Sequence, residues 1–150
     1  MLPDGKRVAL NIVFSDQAAG LMFFQPFLQD REKGTIRFTP PQFGSAALKL
    51  GQAVVALSSD EGNAVSTGII ANLVTKARGE SAGGSAGEKE TALIKTDIRS
   101  ADLVLGSVLL NLSGEVIGVN AGASIGASRN TFLPIHKVQD ALAKASIKSN

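Results

Sequence analysis

The feature that most constrains this chain is its punctuation. Short runs of apolar and β-branched residues follow one another, and Gly, Pro, Asn or Asp cuts off most of them before a helix of ordinary length could form. Lys6–Phe14 (KRVALNIVF), entered through the turn signal Asp4-Gly5, and Leu21–Phe27 (LMFFQPF) read as two strands joined by the turn Ser15–Gly20. Together they predict a hairpin, with Pro26 marking an edge or an ending. A charged connection, Gln29–Gly34, leads to a short extended piece, Thr35–Thr39, and Pro40-Pro41 sets a module boundary at about residue 40. Further strands are predicted over Gln52–Ser58, Ala64–Thr75, Thr91–Thr96, Gly106–Asn111, Glu115–Asn120 and Thr131–Ile135. Gly68 inside the longest of these signals a bulge or a close backbone approach. Leu112-Ser113-Gly114 is a compact hairpin turn, and Gly79–Gly87 and Ala121–Ser128 are loops of small residues. The period changes to a helical one only in Lys137–Ser146, where Val138, Ala141, Leu142 and Ala145 form an apolar stripe. Successive short strands with one closing helix predict an antiparallel barrel or sandwich rather than βαβ units.

The residue inventory narrows the chemistry. There is no cysteine, so a thiol nucleophile, a disulfide and a thiolate zinc site are all excluded. Any imidazole base supplied by this chain must be His136, its one histidine. Seven phenylalanines are the only aromatic residues, which supplies stacking platforms for single-stranded nucleic acid poorly. Fifteen basic against 13 acidic residues is too even a balance for a phosphate-binding surface. No nucleic-acid partner is therefore expected. No membrane span is expected either, because charge-free stretches such as Gly62–Thr75 fall well short of the roughly 20 residues a helix needs. The first residues lack the apolar core of a signal peptide.

Motif by motif, little chemistry emerges. Gly83-Gly84 lies in a Ser/Gly loop without the strand–turn–helix context of a phosphate cradle. Glu88 and Glu90 flank Lys89 and read as a solvated rim, not an acid/base pair. Asp97 could be a buried structural carboxylate or a surface turn residue. His136, just before the predicted helix, reads as a cap or surface residue. Lys76-Ala77-Arg78 is too short for a nucleic-acid patch. No metal site and no cofactor are expected.

Four ordered blocks carry a resemblance. Asp4–Phe24 reads DGKRVALNIVFSDQAAGLMFF, Leu48–Ala71 reads LKLGQAVVALSSDEGNAVSTGIIA, Ile94–Asn120 reads IKTDIRSADLVLGSVLLNLSGEVIGVN, and Thr131–Leu142 reads TFLPIHKVQDAL. In this order they resemble the protease domain of the HtrA/Deg-type trypsin-like serine proteases, and the third block matches from Thr96-Asp97 to Gly114–Gly118 without a gap. The resemblance implies a trypsin-like antiparallel β-barrel: a hairpin remnant of the first barrel over residues 1–40, a complete second six-stranded barrel over 41–136, and a C-terminal helix and tail over 137–150. It also implies export, if a signal lies upstream.

The chemistry of that family is an aspartate orienting a histidine, the histidine deprotonating a serine, and backbone N–H groups holding the oxyanion. Matched position by position, the serine is Leu105 and the aspartate is Gly20, and no histidine-bearing segment precedes them. The oxyanion-hole equivalents are Leu103 and Leu105, with Val104 between; leucine replaces a glycine whose backbone conformation it would adopt at a cost. The expected function is accordingly a non-catalytic protease homologue that binds protein or peptide, with a fragment of a longer endopeptidase as the alternative. A different enzyme using Ser100, Ser107 or Ser113 is a weaker reading, because each lacks a base; strand alternation would let Ser107 share the face of Leu105. Phe23, Phe24 and Phe27 make the hairpin Lys6–Phe27 a surface for completion by upstream chain, packing on the barrel, or homo-oligomer formation.

Overall fold

Alternation of buried and exposed residues closes most of this chain into a barrel. In Ala53–Ser59 (β3), Val54, Ala56 and Ser58 point inward and Leu57 outward, the period of a strand with one dry face. The computed structural model describes residues 7–27, 39–45, 47–59, 63–77, 89–121 and 127–148. Within them, Ala9–Asp16 (β1) and Leu21–Phe27 (β2) form a separate antiparallel hairpin. Asn63–Ala77 (β4), Lys89–Thr96 (β5), Val108–Leu110 (β6), Val116–Asn120 (β7) and Thr131–Pro134 (β8) join β3 in a closed antiparallel barrel, in the order β3-β4-β5-β8-β7-β6. Helix α1, Ile135–Lys148, follows β8 directly. The expected fold is thus borne out: a closed antiparallel barrel, a hairpin apart from it, and a C-terminal helix.

The barrel interior is filled by Val54, Ala56, Ile70, Ile94, Ile98, Leu103, Leu109, Ile117 and Phe132. All four residues of β8 are buried, since α1 covers the barrel at that point. The helix begins at Ile135, ahead of the predicted Lys137, so His136 lies inside its first turn rather than before it. Of the predicted stripe, Ala141 and Ala145 are buried, whereas Leu142 is 45% exposed.

The strand predicted over Gly106–Asn111 is shorter, because Leu105 and Gly106 form a turn ahead of β6. The stretch Gln42–Gly44, not marked by the sequence, laces beside β7: Val116 N–H donates to the Gln42 carbonyl at 2.8 Å and Gly44 N–H to the Val116 carbonyl at 2.9 Å. The extended piece Thr35–Thr39 lies almost wholly outside the described residues, as do the loop Gly79–Gly87, the Gly83-Gly84 pair, Arg78 and Glu88. Among the described residues, no helix is long and apolar enough to cross a membrane.

Candidate functional site

The site to be weighed is the segment from β5 to β6, which carries Leu105. Its first anchor is Asp97. The Asp97 carboxylate accepts the Ile69 N–H at 2.7 Å, and a Cβ on Gly68 would come within 2.3 Å of the same oxygen. Gly68 is therefore a close approach, which the sequence signalled, and Asp97 is an exposed turn residue that clamps β4. A short 3-10 turn, Ser100–Asp102, comes next.

Leu103 then adopts φ −122° and ψ 136°, ordinary extended backbone, with its side chain fully buried in the core. The strained conformation expected at this position is not taken up. Burial of the leucine side chain holds the segment instead. Leu105 points the other way and is 57% exposed. Gly106 turns the chain with φ +84°, a region that a side chain disfavours, and donates its N–H to the Asn120 carbonyl at 2.9 Å.

A buried hydroxyl pair fixes this turn. Ser107 is 2% exposed, in contrast to the face-sharing with Leu105 that simple alternation suggested, because the turn at Leu105-Gly106 interrupts the strand. Its Oγ donates to the Val104 carbonyl at 2.7 Å and accepts the Val104 N–H at 3.0 Å. Ser58 Oγ of β3 lies 2.8 Å from Ser107 Oγ and 3.1 Å from the Asp102 carbonyl. Both hydroxyls are thus engaged in bridging β3 to the turn, and among the described residues no basic side chain takes part. Ser100 and Ser113 are exposed, and Ser113 belongs to the turn between β6 and β7.

Outside this pair, a cavity of about 480 Å³ opens between Leu57, Val65, Val104, Leu105 and Val108, with no charged group among the described residues of its lining. Leu57 faces Val65 on one side and Val108 on the other in the strand register, so the three make one cross-strand apolar row beside Leu105. An adjoining hollow shares Val65 and Val104 and adds Asp102, which Arg99 approaches to 3.8 Å.

The remaining candidates lie elsewhere. Gly20, matched to the family's aspartate, closes the hairpin turn at φ 66°, and the nearby Asp16 carboxylate accepts the Ala19 N–H at 3.0 Å. Glu90 is not a solvated rim residue: it is half-buried and ion-paired with Lys137 of α1. His136 is likewise not a cap or surface group. Both ring nitrogens are buried, and neither has a hydrogen-bond partner of normal geometry. Burial pushes its pKa below the usual value, and Lys137 adds to this, against the pull of Glu90, Asp140 and the Thr91 backbone. The Glu90–Lys137 pair lines a different cavity from Leu105, and the two cavities share none of the described residues. Among the described residues, no three acidic or histidine side chains converge as metal ligands would.

Comparison with known proteins places these features. The family model of the trypsin-like peptidase domain matches residues 1–119. No curated protein matches the sequence. Among solved structures, Deg5 superposes with a TM-score of 0.65 at 23% identity, over 89% of this chain and 58% of that one. Rv3671c from M. tuberculosis H37Rv, in an inactive form with serine replaced by alanine, gives 0.62 at 21% identity, over 97% and 68%. The MamO protease domain from Magnetospirillum magneticum, in its apo form, gives 0.51 at 18%, over 90% and 68%. These are likenesses of fold, and the chain spans little more than half the length of Deg5.

Proposed function

This chain belongs to the trypsin-like peptidase domain family, and from that premise we propose that it is a non-catalytic member, a pseudoprotease that holds protein or peptide segments without cleaving them. One observation carries this reading: an exposed leucine, Leu105, stands at the position matched to the nucleophile. A leucine has no lone pair to attack a carbonyl, so no acyl-enzyme can form there. Two further observations support it. The oxyanion-hole equivalent Leu103 spends its side chain on the core, and His136 is built into a helix whose cavity is separate from that of Leu105. What remains beside Leu105 is a hollow uncharged among its described residues and an apolar row, Leu57, Val65 and Val108, suited to an extended segment bearing aliphatic side chains.

The division at about residue 40 into a hairpin unit and a barrel unit is part of the same reading. So is self-association through the hairpin, where Leu10, Ile12, Met22 and Phe24 are more than half exposed.

The test follows casein, and a fluorescein-labelled peptide rich in leucine and valine, in the presence of the purified protein. No fragments of either should accumulate. Peptide anisotropy should rise on mixing, and Val65→Asp should weaken that rise about tenfold or more, the effect of setting a charge in an apolar contact. Cleavage that copurifies with the protein and is lost in Ser107→Ala would overturn the proposal.

A further inference from the structure

His136 occupies an unusual place for an imidazole. It is the second residue of α1, where unpaired backbone N–H groups concentrate positive partial charge. Both of its ring nitrogens are shut off from solvent without a normal hydrogen bond. A neutral ring tolerates this at modest cost, whereas a charged one loses its hydration and is repelled by Lys137, which Glu90, Asp140 and the Thr91 backbone offset only in part.

The hairpin, strands β4, β5 and β8, and α1 converge at the adjoining cleft of about 500 Å³. The charged groups facing the junction come from four of these elements. Asp16 belongs to β1, Lys76 to β4, Glu90 to β5, and Lys137, Asp140 and Lys144 to α1. The carboxylate on β5 is already paired with Lys137, and among the described residues three lysines balance three acids around the cleft.

We propose that His136 is a proton-operated latch: as a neutral ring it seats the first turn of α1 against β5, and when protonated it loosens that turn together with the hairpin that rests on α1. The direction follows from linkage. The ring is held below its ordinary pKa of 6.5 in the folded protein and returns to that value when exposed. The exposed state therefore binds the proton more readily. The seating is at full strength above about pH 6.5, weakens as the pH falls through that value, and stops weakening once the folded-state pKa has been passed.

Because the chain has one histidine, proton NMR of the intact protein reads its ring without ambiguity. Between pH 8 and 4.5 its titration midpoint should lie below 6.5. Hydrogen exchange, corrected for intrinsic rate, should show protection in the first turn of α1 and in the hairpin falling about tenfold per pH unit inside this window, with amides of β6 and β7 unchanged. His136→Phe and His136→Gln, neither of which can take up a proton there, should both remove that fall. The second variant keeps the test intact if the larger ring does not fit. A midpoint at or above 6.5 in the folded protein would overturn the proposal. So would the same acid-induced loss of protection in both variants, since it would then belong to Asp16, Glu90 or Asp140.

Discussion

The hairpin and the barrel are written in the same residues and end in opposite states. In the barrel, Phe132, Ile70, Ile94 and Leu109 are completely buried. In the hairpin, Leu10, Ile12, Met22, Phe24 and Phe27 all remain more than half exposed, and Phe14 and Phe23 meet as a tilted pair at 6.1 Å. Strand propensity is not what separates them. A closed barrel gives every strand two neighbours and one common interior, whereas a two-stranded ribbon leaves both outer edges unpaired and relies on what covers its faces. Here α1 contacts both strands of the ribbon, and Phe14 and Phe23 within it are half-buried.

The largest expected effect sharpens this contrast directly. Phe132→Ala should destabilise the barrel by about 3–5 kcal/mol in denaturant unfolding, the usual cost of emptying a packed core site. Phe24→Ala, half exposed on the hairpin, should change stability by about 1 kcal/mol or less. Equal losses in the two variants would break the comparison. Next comes Ser107→Ala, which strands the Val104 N–H and leaves Ser58 only the Asp102 carbonyl; a loss of about 1–3 kcal/mol is expected. Phe24→Glu should shift sedimentation toward the monomer without moving the unfolding midpoint, if self-association uses the hairpin. The smallest effect is that of Glu90→Gln. Its pair with Lys137 is only partly shielded, so a loss below about 1 kcal/mol at low salt is expected, vanishing at high salt.

The strands were legible because their period of two and their Gly and Pro punctuation are local signals. The close approach at Gly68 was legible for the same reason: a glycine inside a β-branched run has few other uses. What local pattern could not reveal was partnership across the fold. Glu90 looked like a solvated residue beside a loop, and only the docking of α1 brings it to Lys137. Ser107 looked able to share the face of Leu105, and only the left-handed turn at Gly106 sends the two side chains to opposite sides. His136 read as a cap because the apolar stripe that defined the helix began after it, while the helix itself starts at Ile135. Leu103 and Leu105 could be matched to a catalytic segment from sequence. That one would be drawn into the core and the other left in solvent required the barrel.

The claim on which the account turns is that no serine of this chain acts as a nucleophile. Intact-mass spectrometry after incubation with a fluorophosphonate probe tests it most directly. The account predicts an unchanged mass. A one-to-one adduct that maps to a serine of the chain would contradict it.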